Sequence, residues 1–347
     1  MPFTLLLQSV FYDRPRMNRE VRTLVRDETS LLSFIGALPQ TDPFRAEAFL
    51  RIKRQPRLLD QMRKHEIQWV DIDHANYPSH FHQLHDPPFG IFYRGNASLL
   101  KLKGLGLVGS RKASVMAPYR IESMMRSIRD YAIISGGALG VDALVHREAL
   151  ACGLPTVAVL ASGLDHMVPL TNRALFQQIL SSGHGCVLSE CPPGVRPRPY
   201  FFPQRNRLIA ALSQKLIVIE AAKRSGALLT ANLALGMSAD VAAMVGAYDS
   251  PQSEGCYQLM NDGAMVIGNH NDLCDFLGIN PSITGRSSTV DQSLVQFLAA
   301  VPMEPIHIDD LAFKLSMSID KIIEYVTLLS LNGDVVISSG QMVSRRV

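Results

Sequence analysis

Three stretches of this chain combine glycine, hydroxyl and cationic residues in the way that holding a phosphate requires. Gly109-Ser110-Arg111-Lys112 ends an apolar run. Glycine lets the backbone approach an oxyanion closely, the following amides can donate to it, and Arg111 can clamp it through two parallel N–H bonds. Ser135-Gly136-Gly137-Ala138-Leu139-Gly140-Val141-Asp142 offers a glycine-rich surface at a helix entrance, with Asp142 placed to cap that helix. Lys223-Arg224-Ser225-Gly226 precedes the helical run Ala227-Leu228-Leu229-Thr230, so first-turn amides, a hydroxyl and two cations suit the same ligand.

A fourth stretch, Pro192 to Arg207, has a different chemistry. Its arginines (Arg196, Arg198, Arg205 and Arg207) are interleaved with Tyr200, Phe201 and Phe202. Cations for phosphates and rings for bases make a platform for an unpaired strand, and the prolines reduce the ordering cost of binding. Burying several arginines there without an anion would be expensive. The charge is concentrated in this region. The whole chain is +3, yet residues 196–224 carry seven basic groups and one acid, Glu220.

Other chemistries fit less well. Gly104, Gly106 and Gly109 satisfy GxGxxG, but the first two lie inside the strand, and Ser135-Gly136 stands where a ribose-binding acid belongs, which argues against NAD. No GK[ST] follows a glycine loop, which excludes a P-loop ATPase on sequence. The cysteines (Cys152, Cys186, Cys191, Cys256, Cys274) include no CxxC pair and read as reduced thiols, not a zinc knuckle. His80, His82 and His85 read as surface histidines and not as metal ligands, and His146 as a packed histidine. No cofactor or metal is expected. A nucleotide-processing phosphoribohydrolase is the alternative from another class. Its glutamate signature is missing at Ser225–Thr230, and Glu220 is expected to orient an arginine instead.

The elements that must position these loops follow from apolar spacing. Up to residue 75 the pattern is helical, with breaks expected at Pro39, Pro43 and Pro56. A His- and Pro-rich connector, Tyr77 to Asn96, follows. Leu105–Val108, Ala132–Ser135, Thr156–Leu160, Cys186–Ser189, Leu216–Glu220, Val241–Val245 and Ala264–Ile267 read as buried strands. Helices are expected between them at Tyr119–Asp130, Asp142–Ala151, Asn172–Leu180 and Ala227–Ser238. Alternation of this kind implies a doubly wound, mostly parallel sheet whose ligands lie beyond the carboxyl ends of its strands. After a Ser282–Thr289 linker come helices at Gln292–Ala300, Ile308–Leu315 and Ser318–Asn332. A hairpin, Val335–Ile337 and Gln341–Val343 around Ser338-Ser339-Gly340, completes a winged-helix pattern. No apolar run is long enough for a bilayer span, and Met1–Val10 reads as a first helix and not a signal peptide, so a cytoplasmic location is expected.

The runs GSRKAS, SGGALGVDALVHREAL, LSECPPG, FPQRNRLIAALS and IVIEAAKRSGALLTA closely resemble the DprA (Smf) family of DNA-processing proteins, in the family's order and across roughly residues 70–275. The resemblance implies an α/β fold with an extended Rossmann-like parallel sheet core at 76–281, and by pattern an N-terminal helical (SAM-like) domain at 1–75 and a C-terminal winged-helix domain at 289–347 flank it. It also implies a homodimer that binds single-stranded DNA without sequence preference and loads RecA recombinase onto it in natural transformation, without catalysis. The DNA site it implies comprises Gly109, Ser110, Arg111 and Lys112; Gly136, Gly137 and Gly140; Arg198 and Phe202; Arg205, Asn206 and Arg207; and Lys223, Arg224, Ser225 and Gly226, with Phe202 at the base-stacking position. Relatives often carry a lysine three residues before that phenylalanine, whereas this chain has Pro199 with Arg198 beside it. Residues 289–347 hold four basic groups against seven acids, which suits protein contact better than duplex reading. The apolar helix near Ala227–Met237 is a candidate dimer surface and equally a candidate core element.

Overall fold

The computed structural model describes residues 3–279, 292–331, 335–338 and 341–345. Contacts divide the chain into two units, Met1–Gly278 and Ile279–Val347, each described by itself. The N-terminal segment forms helices α1 (Phe3–Phe11), α2 (Asn18–Leu24), α3 (Glu28–Ala37), α4 (Pro43–Lys53) and α5 (Gln55–Lys64). Pro43 and Pro56 do not break helices. They stand in the first turns of α4 and α5, where a missing N–H leaves no bond unmade. Asp27 caps α3 by accepting from the Ser30 amide at 2.7 Å. The apolar faces of α1 to α4 gather on Phe11, whose ring meets those of Phe34, Phe44 and Phe89.

Phe89 lies beyond residue 75, so the helical segment shares its core with the region that follows. Two further strands reinforce that link, β1 (Gln68–Asp71) and β2 (Gly90–Gly95). They pair antiparallel with each other, and β2 pairs antiparallel with β6 (Gly185–Ser189). The Tyr77–Asn96 connector is therefore partly a strand of the sheet. Both strands are too short for alternation to reveal them, and the prolines preceding β2 mask its start.

Each of the seven apolar runs read as strands forms one: β3 (Gly104–Gly109), β4 (Ala132–Ser135), β5 (Thr156–Val159), β6, β7 (Lys215–Glu220), β8 (Asp240–Met244) and β9 (Met265–Ile267). These seven are mutually parallel, and the full sheet runs β1-β2-β6-β5-β4-β3-β7-β8-β9. Helices α6 (Ala117–Met125), α7 (Val141–Ala151), α8 (Arg173–Ser181), α9 (Phe201–Leu212), α10 (Gly226–Leu235), α11 (Glu254–Asn261) and α12 (His270–Leu277) cover it. The chain winds outward from β3 to β6, then α9 carries it back to β7 on the other side of β3. That reversal is a topological switch point, beside which α/β ligands bind. Helix α9 corrects the loop read through Arg207. Pro203 falls in its first turn, where proline is tolerated. Helix α10 packs its Ala227, Leu228, Ala231 and Ala234 face inward against α9, so that face of the Ala227–Met237 stretch is core, while Leu229, Asn232, Leu235 and Gly236 are exposed.

The second unit contains α13 (Gln292–Ala300), β10 (Ile306–His307), α14 (Ile308–Leu315), α15 (Ile319–Leu331), β11 (Val335–Ser338) and β12 (Met342–Arg345). Its antiparallel sheet has the order β10-β12-β11, and Phe297, Leu311, Ile322, Val326 and Val343 fill its core. Asn332, the Ser339-Gly340 turn and the Ser282–Thr289 linker lie outside the described residues. No described helix is long and apolar enough to cross a membrane.

Candidate functional site

Beyond the carboxyl ends of β3, β4 and β5 lies a largely apolar cavity of about 310 Å³. Arg111 reaches it from the β3 loop, Gly136, Ala138 and Leu139 from the β4 loop, and Ala161 follows β5. Val168 and Pro169 form one wall, and Pro197, Arg198, Pro199, Phe202 and Arg205 complete the lining. Five sequence-nominated residues, Arg111, Gly136, Arg198, Phe202 and Arg205, thus converge. The Arg111 guanidinium lies 5.1 Å from the centre of the Phe202 ring, a cation–π contact. Arg198 is exposed at the rim and donates to the Tyr200 hydroxyl at 3.2 Å.

Gly109, Ser110, Gly137 and Gly140 belong to the same β3 and β4 loops but lie outside the cavity lining. The Val141 amide donates to the Ser110 carbonyl at 3.0 Å, joining the β3 and β4 loops. Gly140 has φ +74°, and a Cβ there would stand 2.3 Å from the Ser110 carbonyl oxygen, so only glycine fits unstrained. The Ser110 hydroxyl donates to the Lys112 carbonyl and accepts from the Lys112 amide, which turns the exposed Lys112 outward. Asp142 does not act as the cap. It is buried in the first turn of α7, accepts from the Ala138 amide at 3.3 Å and faces Arg205. Burial holds its carboxyl above the usual range, with Arg205 pulling the other way.

The two arginines of the RNR run are not free to hold a strand. Arg205 is buried, donates to the Gly136 and Val159 carbonyls and, through Nε, to Asn206. Burial lowers its pKa to about 10, Asp142 opposes that, and the nearby Arg111 adds to it. It forms the cationic floor of the cavity, with acceptors from the protein itself. Arg207 is 7% exposed and pairs with Glu190, itself 3% exposed, while Asp86 lies 3.7 Å from its Nε. The partners needed to bury these cations are therefore internal: backbone carbonyls for Arg205 and the Glu190 carboxylate for Arg207. Glu190 is the acid that pattern reading missed; its one signal is a carboxylate directly after the short, uncharged strand β6.

Asn206 reaches the fourth loop, donating to the Gly226 carbonyl at 3.3 Å. Ser225 caps α10 by accepting from the Leu228 amide, and Lys223 and Arg224 are exposed there, outside the cavity lining. Glu220 does not orient an arginine. Its carboxylate accepts from both the amide and the hydroxyl of Ser114, pinning the β3–α6 connection. His146 is packed, with Nδ1 2.8 Å from the Thr156 hydroxyl, and burial lowers its pKa to about 3. His80 contacts Gln214, whereas His82 lies against the Tyr77 ring.

A doubly wound sheet with a cationic, aromatic-edged cavity beside its switch point defines a Rossmann-like α/β domain. The chain belongs to the DNA recombination-mediator protein A family, whose model matches residues 68–278. It is 37% identical over 198 residues to the DNA processing protein DprA of Streptococcus pneumoniae, covering 57% of this chain and 70% of that protein. The X-ray structure of DNA processing protein A from S. pneumoniae superposes with a TM-score of 0.67 at 30% identity, over 78% of this chain and 95% of that one. DNA processing protein A from Helicobacter pylori, whose structure concerns its single-stranded DNA binding mode, superposes with a TM-score of 0.55 at 27% identity, over 62% and 98%. A DNA-processing role follows for this chain.

Proposed function

We propose that the cavity beyond β3–β5 binds single-stranded DNA without sequence preference, and that the chain presents the bound strand to a RecA-type recombinase. The observation that carries this is the Arg111–Phe202 pair at the edge of an apolar cavity: a cation for a phosphate directly beside a ring for a base. Only an unpaired base can leave its stack to enter the lining of Phe202, Leu139 and Pro169, which favours single strands over duplex. Arg205 holds positive charge in the floor. Lys112, Arg198, Lys223 and Arg224 are exposed and supply non-specific attraction. A homodimer would place two such cavities on one strand and raise affinity by avidity.

The protein acts here as a binder and not a catalyst. A phosphoribohydrolase needs a free carboxylate beside the ribose, and Glu220 is already engaged with Ser114. The C-terminal unit, read as a winged helix, serves protein contact, because acids outnumber cations from 289 to 347.

Gel shifts with single- and double-stranded oligonucleotides test the assignment. Arg111→Ala should cost about 2 kcal/mol, roughly a 30-fold loss, with a shallower salt slope. An unchanged titration would place the DNA elsewhere. Removing residues 279–347 should leave most single-strand affinity intact, and a large loss would return the C-terminal unit to DNA binding.

A further inference from the structure

A second cleft, of about 410 Å³, opens where α2 ends, lined by Arg22, Thr23, Arg26, His82, Leu84 and Pro87. Arg22 has one described acidic neighbour, Asp73, at a long 3.8 Å, and Asp73 is itself mostly exposed. Among the described residues no acid comes within ion-pair distance of the Arg26 side chain, which is exposed. Two guanidiniums and an imidazole therefore face one opening with little internal anion to satisfy them, unlike Arg207 with Glu190. The segment up to residue 103 holds 15 basic groups against 11 acids, an excess the main cavity does not use.

The cleft also lies at the right end of the sheet. Because β2 runs antiparallel to β6, with Phe92 opposite Ser189, residues just before Gly90 stand at the same end as those just after Ser189. The first group includes Pro87, and the second leads into the Pro192–Tyr200 loop of the cavity. Asn18 of α2 donates to the Pro87 carbonyl at 3.0 Å, which fixes the arginine-bearing helix at that end.

We infer that this cleft is a second phosphate site, taking a phosphodiester group of the strand that leaves the main cavity between Arg22 and Arg26. This rests on the cavity being the DNA site. Bidentate guanidinium–phosphate contacts give grip without sequence preference. The N-terminal helices thereby extend the track for DNA as well as bracing the sheet.

The test is fluorescence anisotropy with labelled oligothymidines of about 6 and about 30 nucleotides across a range of salt, chosen to fill one site or span both. Arg22→Gln/Arg26→Gln should leave short-strand binding as in wild type. It should weaken long-strand binding about tenfold and lower the salt slope by about 0.7, the share of one single-strand phosphate. Arg22→Lys/Arg26→Lys should recover most of the loss. Fold is checked by melting temperature, which an exposed, long ion pair barely supports. Long-strand affinity and slope equal to wild type in the glutamine variant would overturn the inference. So would loss of inorganic phosphate binding with long-strand binding intact, which marks a site for a small phosphorylated ligand. Arg111→Ala in the same titrations separates the two claims: if it leaves both lengths unchanged, the main cavity itself is misassigned.

Discussion

Arg207 offers the sharpest separation of scaffold from binding surface. It looks like a DNA contact in the linear motif, yet it is buried against Glu190. Replacing it by methionine keeps the apolar stem and removes the charge. A buried carboxylate left without its partner typically costs about 3–5 kcal/mol. Glu190 can escape part of that cost by taking a proton, and burial already pushes its pKa up to about 7 despite the opposing pull of Arg207. Below about pH 7 the carboxyl is largely protonated in both proteins. Above it the wild type releases the proton to pair with Arg207, whereas Arg207→Met, with a still higher pKa, keeps it. The unfolded chains titrate alike near the ordinary glutamate value, so the stability gap must widen as pH rises past 7, by about 1.4 kcal/mol per unit. Urea unfolding at about pH 6 and about pH 8 measures this. The double variant Glu190→Leu/Arg207→Met should recover most of the loss, because two apolar groups leave no unpaired charge. Single-strand affinity of folded Arg207→Met should stay near wild type. If the variant instead melts like wild type at both pH values but loses DNA, Arg207 faces the strand and the buried pair is wrong.

His146 supplies a pH dependence of opposite direction. Its folded pKa is depressed to about 3, so the unfolded state binds its proton first as pH falls below about 6.5. The stability this contributes is present above 6.5 and drains as pH drops towards 3, by at most about 1.4 kcal/mol per unit; His146→Asn should flatten that limb in denaturant titrations, and identical acid slopes would refute it. Gly140→Ala should destabilise the N-terminal unit by about 1–3 kcal/mol and also weaken DNA binding. A methyl there meets the Ser110 carbonyl and the Arg111 backbone, so the Arg111 loop must move. Unchanged melting and unchanged gel shifts together would show that the loop tolerates it.

Periodicity and composition alone located the parallel strands β3–β9 and the loops that follow them. A strand buried on both faces must be a short continuous apolar run, and the glycines that let loops approach a ligand are visible as residue types. The Arg111 and Gly136 part of the candidate site was legible for that reason, whereas the family resemblance, not spacing, singled out Phe202. What the linear pattern could not convey was which charges meet. Seven cations at 196–224 looked like one basic surface, but tertiary packing turns Arg207 onto Glu190, ties Arg205 to the Gly136 and Val159 carbonyls in the cavity floor, and leaves Arg198 exposed at the rim. Likewise β1 and β2 exist as strands because β6 offers an edge to pair with, not because four to six residues prefer to be extended. Local spacing reports what a residue's own element buries. Whether a cation finds a protein anion or is left for a phosphate depends on partners that are remote in sequence, and only the folded chain brings them within reach.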